Sequence, residues 1–400
     1  MDGALASNPV PLERPKTIGL ALSGGGVRAA IFHLGVLRRL AADGLLESVT
    51  HLSTVSGGSL VTAAIMARSG LTWPTSVAYE ADAYPSLRRL LTETDLFSLR
   101  AIGWRGALRY RRGLLNHRAK ILADLLEERW DVRGRLTELP VTPVWWINST
   151  CIQTGKNWRF ARSEMGDWKF GLHYAPEFRI ADAAAASAAV PYAIGAISLT
   201  LPREGWFEVD PATRRPLRRR ERPSSERVRL WDGGAYENLG LEALYKPGET
   251  LRHCEFLICS DASGVLPSEE ASSPFRLLRG QLSSPRLFDI ASDQIRALRS
   301  RMLFRDVAAG VVRGAVIKMG LSARDMDLRN GRSRAAKDYE ALQTDAEARL
   351  AHLHPTDLTA VSPEVFDRIA RHGFEAADTV LNAHAPIVCP ESRAWRAAAG

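Results

Sequence analysis

Two serine- and glycine-bearing turns, one βαβ unit apart, constrain this chain more than any other feature. Thr17-Ile18-Gly19-Leu20-Ala21-Leu22 is an apolar run of strand length that ends in Ser23-Gly24-Gly25-Gly26-Val27-Arg28. From Val27 to Leu40 the apolar residues Ile31, Leu34 and Leu37 recur at helical spacing, so the order is strand, glycine turn, helix. Val49 to Val55 reads as a second strand and Leu60 to Ala67 as the helix that leaves it, with Ser56-Gly57-Gly58 at the turn. A helix crossover returns the chain to its starting side, so two such strands lie parallel and end on one edge of a sheet. Both turns then face one cleft.

The chemistry of each turn follows from its residues. Glycines without Cβ let successive backbone N–H groups turn inward, and the positive end of the next helix favours negative charge there. Such donors, when aimed at an acyl-transfer oxyanion, contribute roughly 3–4 kcal/mol each. A serine on a tight strand-to-helix turn has the layout of a nucleophile elbow. Other readings exist for each turn taken alone. A phosphate loop would end in Gly-Lys-Ser/Thr, which is absent, and the looser dinucleotide spacing of Gly24, Gly26 and Ala29 has no acidic residue closing the second strand. Ser56 by itself could be structural, and an Asp-Gly-Gly such as Asp232-Gly233-Gly234 is commonly just a turn. Asp232 nevertheless ends an extended apolar stretch, Val228 to Trp231, and is a candidate base for Ser56.

With these segments in this order, the chain resembles the patatin-like phospholipases. The resemblance implies a Ser56/Asp232 dyad, an oxyanion hole from Gly24, Gly25 and Gly26, and Arg28 as the basic residue closing the glycine loop, bracing it or meeting a lipid phosphate. Gly58, Gly233 and Gly234 are implied as supports of the two turns. Asn148 to Gly155 is similar to the family's Asn-x-Thr strand end, and Ala183 to Pro191 to its Ala/Ser-rich helix ending in Val-Pro; the matched segments run from about residue 17 to 245. One position departs. The family usually has Gly two residues before the nucleophile, where this chain has Thr54. The residues two before and two after the serine are expected to crowd each other, with Gly58 supplying the room.

The resemblance implies a three-layer α/β/α fold with a mainly parallel central sheet, and a serine lipid acyl hydrolase of phospholipase A or lysophospholipase type. Phospholipid or another acyl-ester lipid is the expected substrate, with no cofactor and no metal. A neutral lipase, thioesterase or transacylase would use the same residues, and a lipid-binding or interaction protein would keep the fold without the chemistry. Five of the nine histidines, His253, His352, His354, His372 and His384, follow Asp232 as a triad histidine would, but none sits in a glycine-bounded loop. His33, on the first helix, reads as a surface or core-edge residue. Asp232 as direct base requires a partly desolvated carboxylate, because a free Asp near pKa 3.9 is a weak base.

Charge and organisation complete the reading. Of the 400 residues 46% are hydrophobic, enough for a sizeable core, and no run reaches membrane-spanning length. Met1 to Lys16 lacks a signal-peptide apolar region, so a cytoplasmic protein with peripheral membrane association is expected. Cys151, Cys254, Cys259 and Cys389 lack metal spacing and read as reduced core residues, with Cys254 and Cys259 flanking a strand from Leu251 to Ser260. The net charge of +8 gathers in two clusters. Arg100, Arg105, Arg109, Arg111, Arg112 and Arg118 lie among Trp104 and Tyr110, a pattern suited to anionic head groups. Arg214, Arg215, Arg218, Arg219, Arg220 and Arg222, interleaved with prolines, read as a mobile loop. No nucleic-acid motif accompanies the charge, so no nucleic-acid partner is expected, while an activator or an oligomer is compatible with the family. Residues 15–265 are expected to form the catalytic domain with 72–135 as a helical insertion or cap, and 266–400 a mainly helical region packed on it. Within that last region Leu287–Phe304, Arg334–Leu350 and Pro363–Leu381 read as helices.

Overall fold

The computed structural model describes residues 13–96, 118–191, 193–210, 213, 215–220, 222–264 and 284–397. The two opening βαβ strands form as the apolar pattern dictates: β1 (Ile18–Leu22), α1 (Gly26–Ala41), β2 (Val49–Val55) and α2 (Gly57–Arg68). They lie at the heart of one twelve-stranded sheet. On one side of β1 run β11 (Phe256–Asp261) and the edge strand β12 (Gly314–Lys318), and on the other β2 and β3 (Val144–Cys151), all parallel. Beyond β3 the sheet turns antiparallel through β4 (Lys156–Phe160), β5 (Glu164–Asp167), β6 (Gly171–Tyr174), β8 (Trp206–Val209) and β9 (Pro216–Arg220). β10 (Arg227–Asp232) pairs with β3 and with β7 (Ile197–Thr200).

Three layers follow from the alternation of side chains. Ile18, Leu20 and Leu22 of β1 and Phe256 and Ile258 of β11 point into a core shared with α1 and α2, while Ala21, Leu257 and Cys259 point to the opposite face. That second face is covered by Leu239, Leu241, Leu244 and Tyr245 and by α6 (Ser284–Ala308), which contributes Leu303. The described part of 72–135 is helical, with α3 (Tyr84–Glu93) and α4 (Arg118–Trp130) burying Leu87, Leu91, Ile121, Leu122, Leu125, Leu126 and Trp130. α5 (Ile180–Ser187) is the buried Ala-rich helix.

Several expectations change. Arg218, Arg219 and Arg220 do not lie in a loop, because Pro216–Arg220 pairs with Trp206–Val209 as a hairpin. Pro216 sits at the first position of an edge strand, where a missing N–H costs no ladder bond; Arg218 and Arg219 are exposed and Arg220 is half-buried. The cluster from Arg100 to Arg112 lies outside the described residues, as does Arg214; Arg118 begins α4. Arg334–Leu350 is two helices, Ala336–Glu340 and α9 (Asp345–His352), the latter started by a capping box between Thr344 and Glu347. They follow the short helix α7 (Ala323–Arg329), so Ala336–Glu340 is α8. Cys259 lies inside β11 rather than flanking it, and all four cysteines are buried and free. The stretch read as mainly helical supplies β12 to the sheet.

The last long helix, α10 (Pro363–His384), lies directly on α1. A Cβ on Gly35 would stand 1.9 Å from the Ala370 carbonyl oxygen, and one on Gly373 would stand 2.1 Å from that of Phe32. The two backbones therefore touch. Arg39, fully buried on α1, closes the contact through Asp378 of α10 at 2.6 Å and Asp43 at 2.6 Å. Gly35→Ala should force the helices apart and lower unfolding free energy by about 3 kcal/mol, as overpacking against backbone does, readable in a urea titration.

Candidate functional site

The site is assembled by register on one strand. β2 pairs with β3 up to Val55 opposite Asn148, and β10 takes over on the same side of β3 at the next position, with Asp232 opposite Ser149. β2 runs up to that point and β10 comes down to it from the other direction. Their ends meet head to head, so the residue after β2, Ser56, and the last residue of β10, Asp232, become neighbours although 176 positions separate them.

Ser56 sits on the turn into α2 with φ 49° and ψ −118°, a strained backbone for a residue with a side chain. Its surroundings hold it there. The Ser56 N–H donates to Ser187 Oγ at 2.9 Å, Ser187 Oγ meets Ser59 Oγ at 2.8 Å, and Ser59 meets Thr54 Oγ1 at 2.8 Å, which also accepts the Trp145 indole N–H at 2.9 Å. Thr54, the departure from the family pattern, is thus a member of a buried polar chain that fixes the elbow. At Gly58 the nearest neighbours belong to β1 and the turn after it. A Cβ on Gly58 would strike the Leu22 carbonyl oxygen at 2.6 Å and the Leu22 Cβ and Ser23 oxygen at 2.9 Å, so β1 requires glycine there.

The glycine loop packs against the elbow backbone to backbone. A Cβ on Gly57 would lie 2.3 Å from the Gly26 oxygen, and one on Gly24 would lie 2.9 Å from Ser56 Cβ. Gly25 and Gly26 have φ of 141° and 63°, which suit glycine. The Gly24 N–H donates to the Asn238 carbonyl at 3.0 Å, so of the three glycines expected to hold an oxyanion this one is already engaged. Among the described residues the N–H groups of Gly25 and Gly26 have no backbone acceptor.

Asp232 is buried and caps its own turn, accepting the Gly234 N–H on Oδ1 at 2.6 Å. Its backbone is pinned by Thr150, whose hydroxyl donates to the Asp232 carbonyl at 2.8 Å, and by the Ala189 carbonyl, which accepts its N–H at 2.9 Å. A Cβ on Gly233 would meet the Asn148 oxygen at 2.5 Å and one on Gly234 would meet Asn238 Oδ1 at 2.6 Å, so both glycines are needed for this turn. Oδ2 has no hydrogen-bond partner. Burial pushes the carboxyl up to about 6; the Gly234 N–H and the nearby Ser56 hydroxyl oppose the rise without cancelling it. The hydroxyl is near enough to act on the carboxylate electrostatically, yet no hydrogen bond of ordinary length and angle joins the two.

Arg28 is turned into the protein. It is 3% exposed and donates to the carbonyls of His352 at 3.2 Å, His354 at 3.0 Å and Ala262 at 3.4 Å. Burial lowers its guanidinium to about 10. It braces the loop by tying α1 to the segment after α9, and the Val27 N–H meets the Asp357 carbonyl at 2.9 Å beside Gly26. His33 is wholly buried rather than at a surface. Its Nε2–H donates to the Ser23 carbonyl at 2.9 Å and Nδ1 accepts from Ser260 Oγ at 2.8 Å, with burial lowering its pKa to about 4. None of the five later histidines is bonded to Ser56 or Asp232. His352 donates to Ser263 and His372 accepts the Gly320 N–H, while His253 stacks near His51 and Trp146. Ser187, Asn238, Gly57 and the His352–Asp357 segment are the parts of the site that sequence reasoning misses. Ser187 and Asn238 stand inside matched motifs, but the last has no local signal.

A strand–serine–helix elbow, a facing glycine loop and a buried carboxylate define an α/β protein with the layout of a serine hydrolase. The chain belongs to the patatin-like phospholipase family, whose model matches residues 20–245. No curated protein matches the sequence. Among solved structures, human GIVD cytosolic phospholipase A2 is 15% identical with a TM-score of 0.55, covering 93% of this chain and 59% of its own. The same human enzyme in complex with methyl gamma-linolenyl fluorophosphonate and terbium chloride gives 16% identity, a TM-score of 0.51 and coverage of 93% and 58%. This chain thus spans about three fifths of the human enzyme's length, and the likeness is one of fold. A cavity of about 410 Å³ between β12, α6 and α10, lined by Phe304, Val316, Met326 and Val380, includes none of the site residues.

Because Asp232 binds a proton more tightly folded than unfolded, it adds stability below about pH 4 that is lost as pH rises through about 6. Buried His33 acts in the opposite sense, losing stability as pH falls from about 6.5 towards 4, so the comparison must be between variants. Asp232→Asn should gain about 2–3 kcal/mol relative to the parent between pH 4 and pH 7, read from paired denaturant titrations.

Proposed function

We propose that the protein is a serine lipid acyl hydrolase that cleaves acyl esters of membrane phospholipids through a Ser56/Asp232 dyad. The observation that carries this reading is the buried, unpartnered Asp232 Oδ2 beside the hydroxyl of a serine held on a strained elbow. A carboxyl raised to about 6 is a usable base at neutral pH, where it is ionised but desolvated. In the proposed cycle Asp232 accepts the Ser56 proton, and Ser56 Oγ bonds to the ester carbonyl carbon. The Gly25 and Gly26 N–H groups hold the resulting oxyanion. Collapse breaks the bond to the alcohol, which leaves with the proton from Asp232. Water, activated by the same carboxylate, then releases the fatty acid and restores Ser56.

The finer parts of the reading have their own supports. Phospholipid as substrate comes from the family and from the fold shared with a cytosolic phospholipase A2. Among the described residues no helix is long and apolar enough to cross a membrane, which suits an enzyme that meets lipid from the water side. Residues 15–265 carry the catalytic machinery in this reading, with 72–135 as its cap, and the later region contributes the brace at Arg28. Gly58 and Gly233 act by letting the backbones close, and Gly234 leaves room for the Asn238 and Asp232 side chains.

Wild-type protein should release fatty acid and lysolipid from mixed phospholipid vesicles and be labelled by a fluorophosphonate. Ser56→Ala should lose the label and at least about a thousandfold in kcat/KM, and Asp232→Asn should lose a similar factor in hydrolysis. The pH profile of kcat/KM should fall about tenfold per unit below pH 6. Labelling that survives in Ser56→Ala would refute the nucleophile.

A further inference from the structure

α6 turns several of its large apolar side chains away from the sheet. Its inward face carries Arg296, Arg299, Ser300, Leu303 and Asp306, of which Arg299 pairs with Glu242 at 2.6 Å and Asp306 accepts the Tyr245 hydroxyl at 2.5 Å. Its outward face carries Leu287, Ile290, Leu298 and Met302, exposed by 70%, 41%, 49% and 36%. With exposed Ala291 and Gln294 between them, these positions fall on one line along the helix. A helix on a sheet ordinarily buries its apolar stripe, and a contiguous exposed one marks an interaction surface.

The direction of the helix places that stripe at the site. Arg296 Nη1 bonds Asp261 Oδ2 at 3.2 Å at the carboxyl end of β11, whereas Leu303 packs in the cluster with Leu257 near its start. α6 therefore runs antiparallel to β11, and at 1.5 Å per residue the part before Arg296 reaches about 18 Å past the sheet edge from which Ser56 and the glycine loop project. Leu287 and Ile290 lie on this projecting part. Charge selects the occupant. Every carboxylate on the helix is engaged, Asp293 with Arg296, Asp306 with Tyr245 and Arg305, and Asp289 also with a partner. Arg286 and the exposed Arg301 have no carboxylate partner among the described residues.

We infer that the outer face of α6 is a membrane-docking surface that lies in the head-group boundary of an anionic bilayer and sets the mouth of the site against it. A row of exposed apolar side chains flanked by arginines that lack a carboxylate partner suits the head-group boundary of an anionic bilayer, which attracts basic residues and accepts apolar ones. The inference rests on the proposed hydrolase reading for its purpose, but its test does not depend on turnover. Full-length Ser56→Ala protein should float with vesicles of phosphatidylcholine and phosphatidylglycerol, and less with phosphatidylcholine alone. Adding Leu287→Asp, Ile290→Asp and Leu298→Asp should weaken flotation at least about tenfold while leaving the thermal transition unchanged. With Ser56 intact the same three changes should leave hydrolysis of a short soluble ester unaltered. Leu287→Trp alone should show bromolipid quenching of the new indole on the mixed vesicles. Undiminished flotation of the triple variant, an unquenched indole in Leu287→Trp, or a wild-type dimer that the three changes dissociate without affecting flotation would overturn the inference. Vesicle binding without ester hydrolysis by the wild type would overturn the hydrolase reading and leave this one standing.

Discussion

Everything at the site depends on β3 serving two strands in succession along one side. Asn148 is the last residue to face β2 and Ser149 the first to face β10, so the end of a parallel strand and the end of an antiparallel one abut. A slip of one residue in either register would move Ser56 or Asp232 to the other face of the sheet. The Asn148 side chain reinforces the junction by donating to Ser53 Oγ and to the Thr54 carbonyl, both at 3.0 Å, and the Asn148 backbone carbonyl leaves space only for glycine at 233. Sheet pairing thus does what a long-range side-chain bond would otherwise have to do.

The elbow and the glycine loop are then fixed against each other by the absence of side chains. Gly57 meets Gly26 and Gly58 meets Leu22 and Ser23 at distances that admit no Cβ. Because backbone touches backbone, the glycine loop is held directly against the Ser56 turn. The buried polar chain from Trp145 through Thr54, Ser59 and Ser187 holds the strained Ser56 from behind. Burial of Asp232 raises its proton affinity in the same dry environment, so one cause supports both geometry and basicity.

Much of this is legible from local patterns. The first four elements carry clear strand and helix periodicities, and glycines mark both turns, so Ser56, Asp232 and the loop glycines stand out without knowledge of contacts. β12 escapes such a reading because Gly-Ala-Val-Ile-Lys is only five residues long and follows a long helix closely, with burial by α6 and α10 supplying what the pattern lacks. The β9 arginines hide a strand because an exposed edge hairpin tolerates charge on both faces. Thr54 looks like a misfit because its partners Trp145 and Ser59, and Ser187 bonded to Ser59 behind them, come from three different elements. The roles of Arg28 and His33 are not readable from sequence either, since each is set by carbonyls that only the folded chain brings near.

The clamp at Arg28 joins the earliest part of the chain to one of the latest. Its guanidinium ties the start of α1 to the carbonyls of His352 and His354, and Asp357 seats the N-terminal turn of the same helix. During synthesis the serine turn is therefore made some three hundred residues before the segment that locks its facing glycine loop. A growing chain carries Ser56 throughout elongation with the opposing loop unbraced, so the order of translation itself keeps the site incomplete until the last helices have emerged to dock.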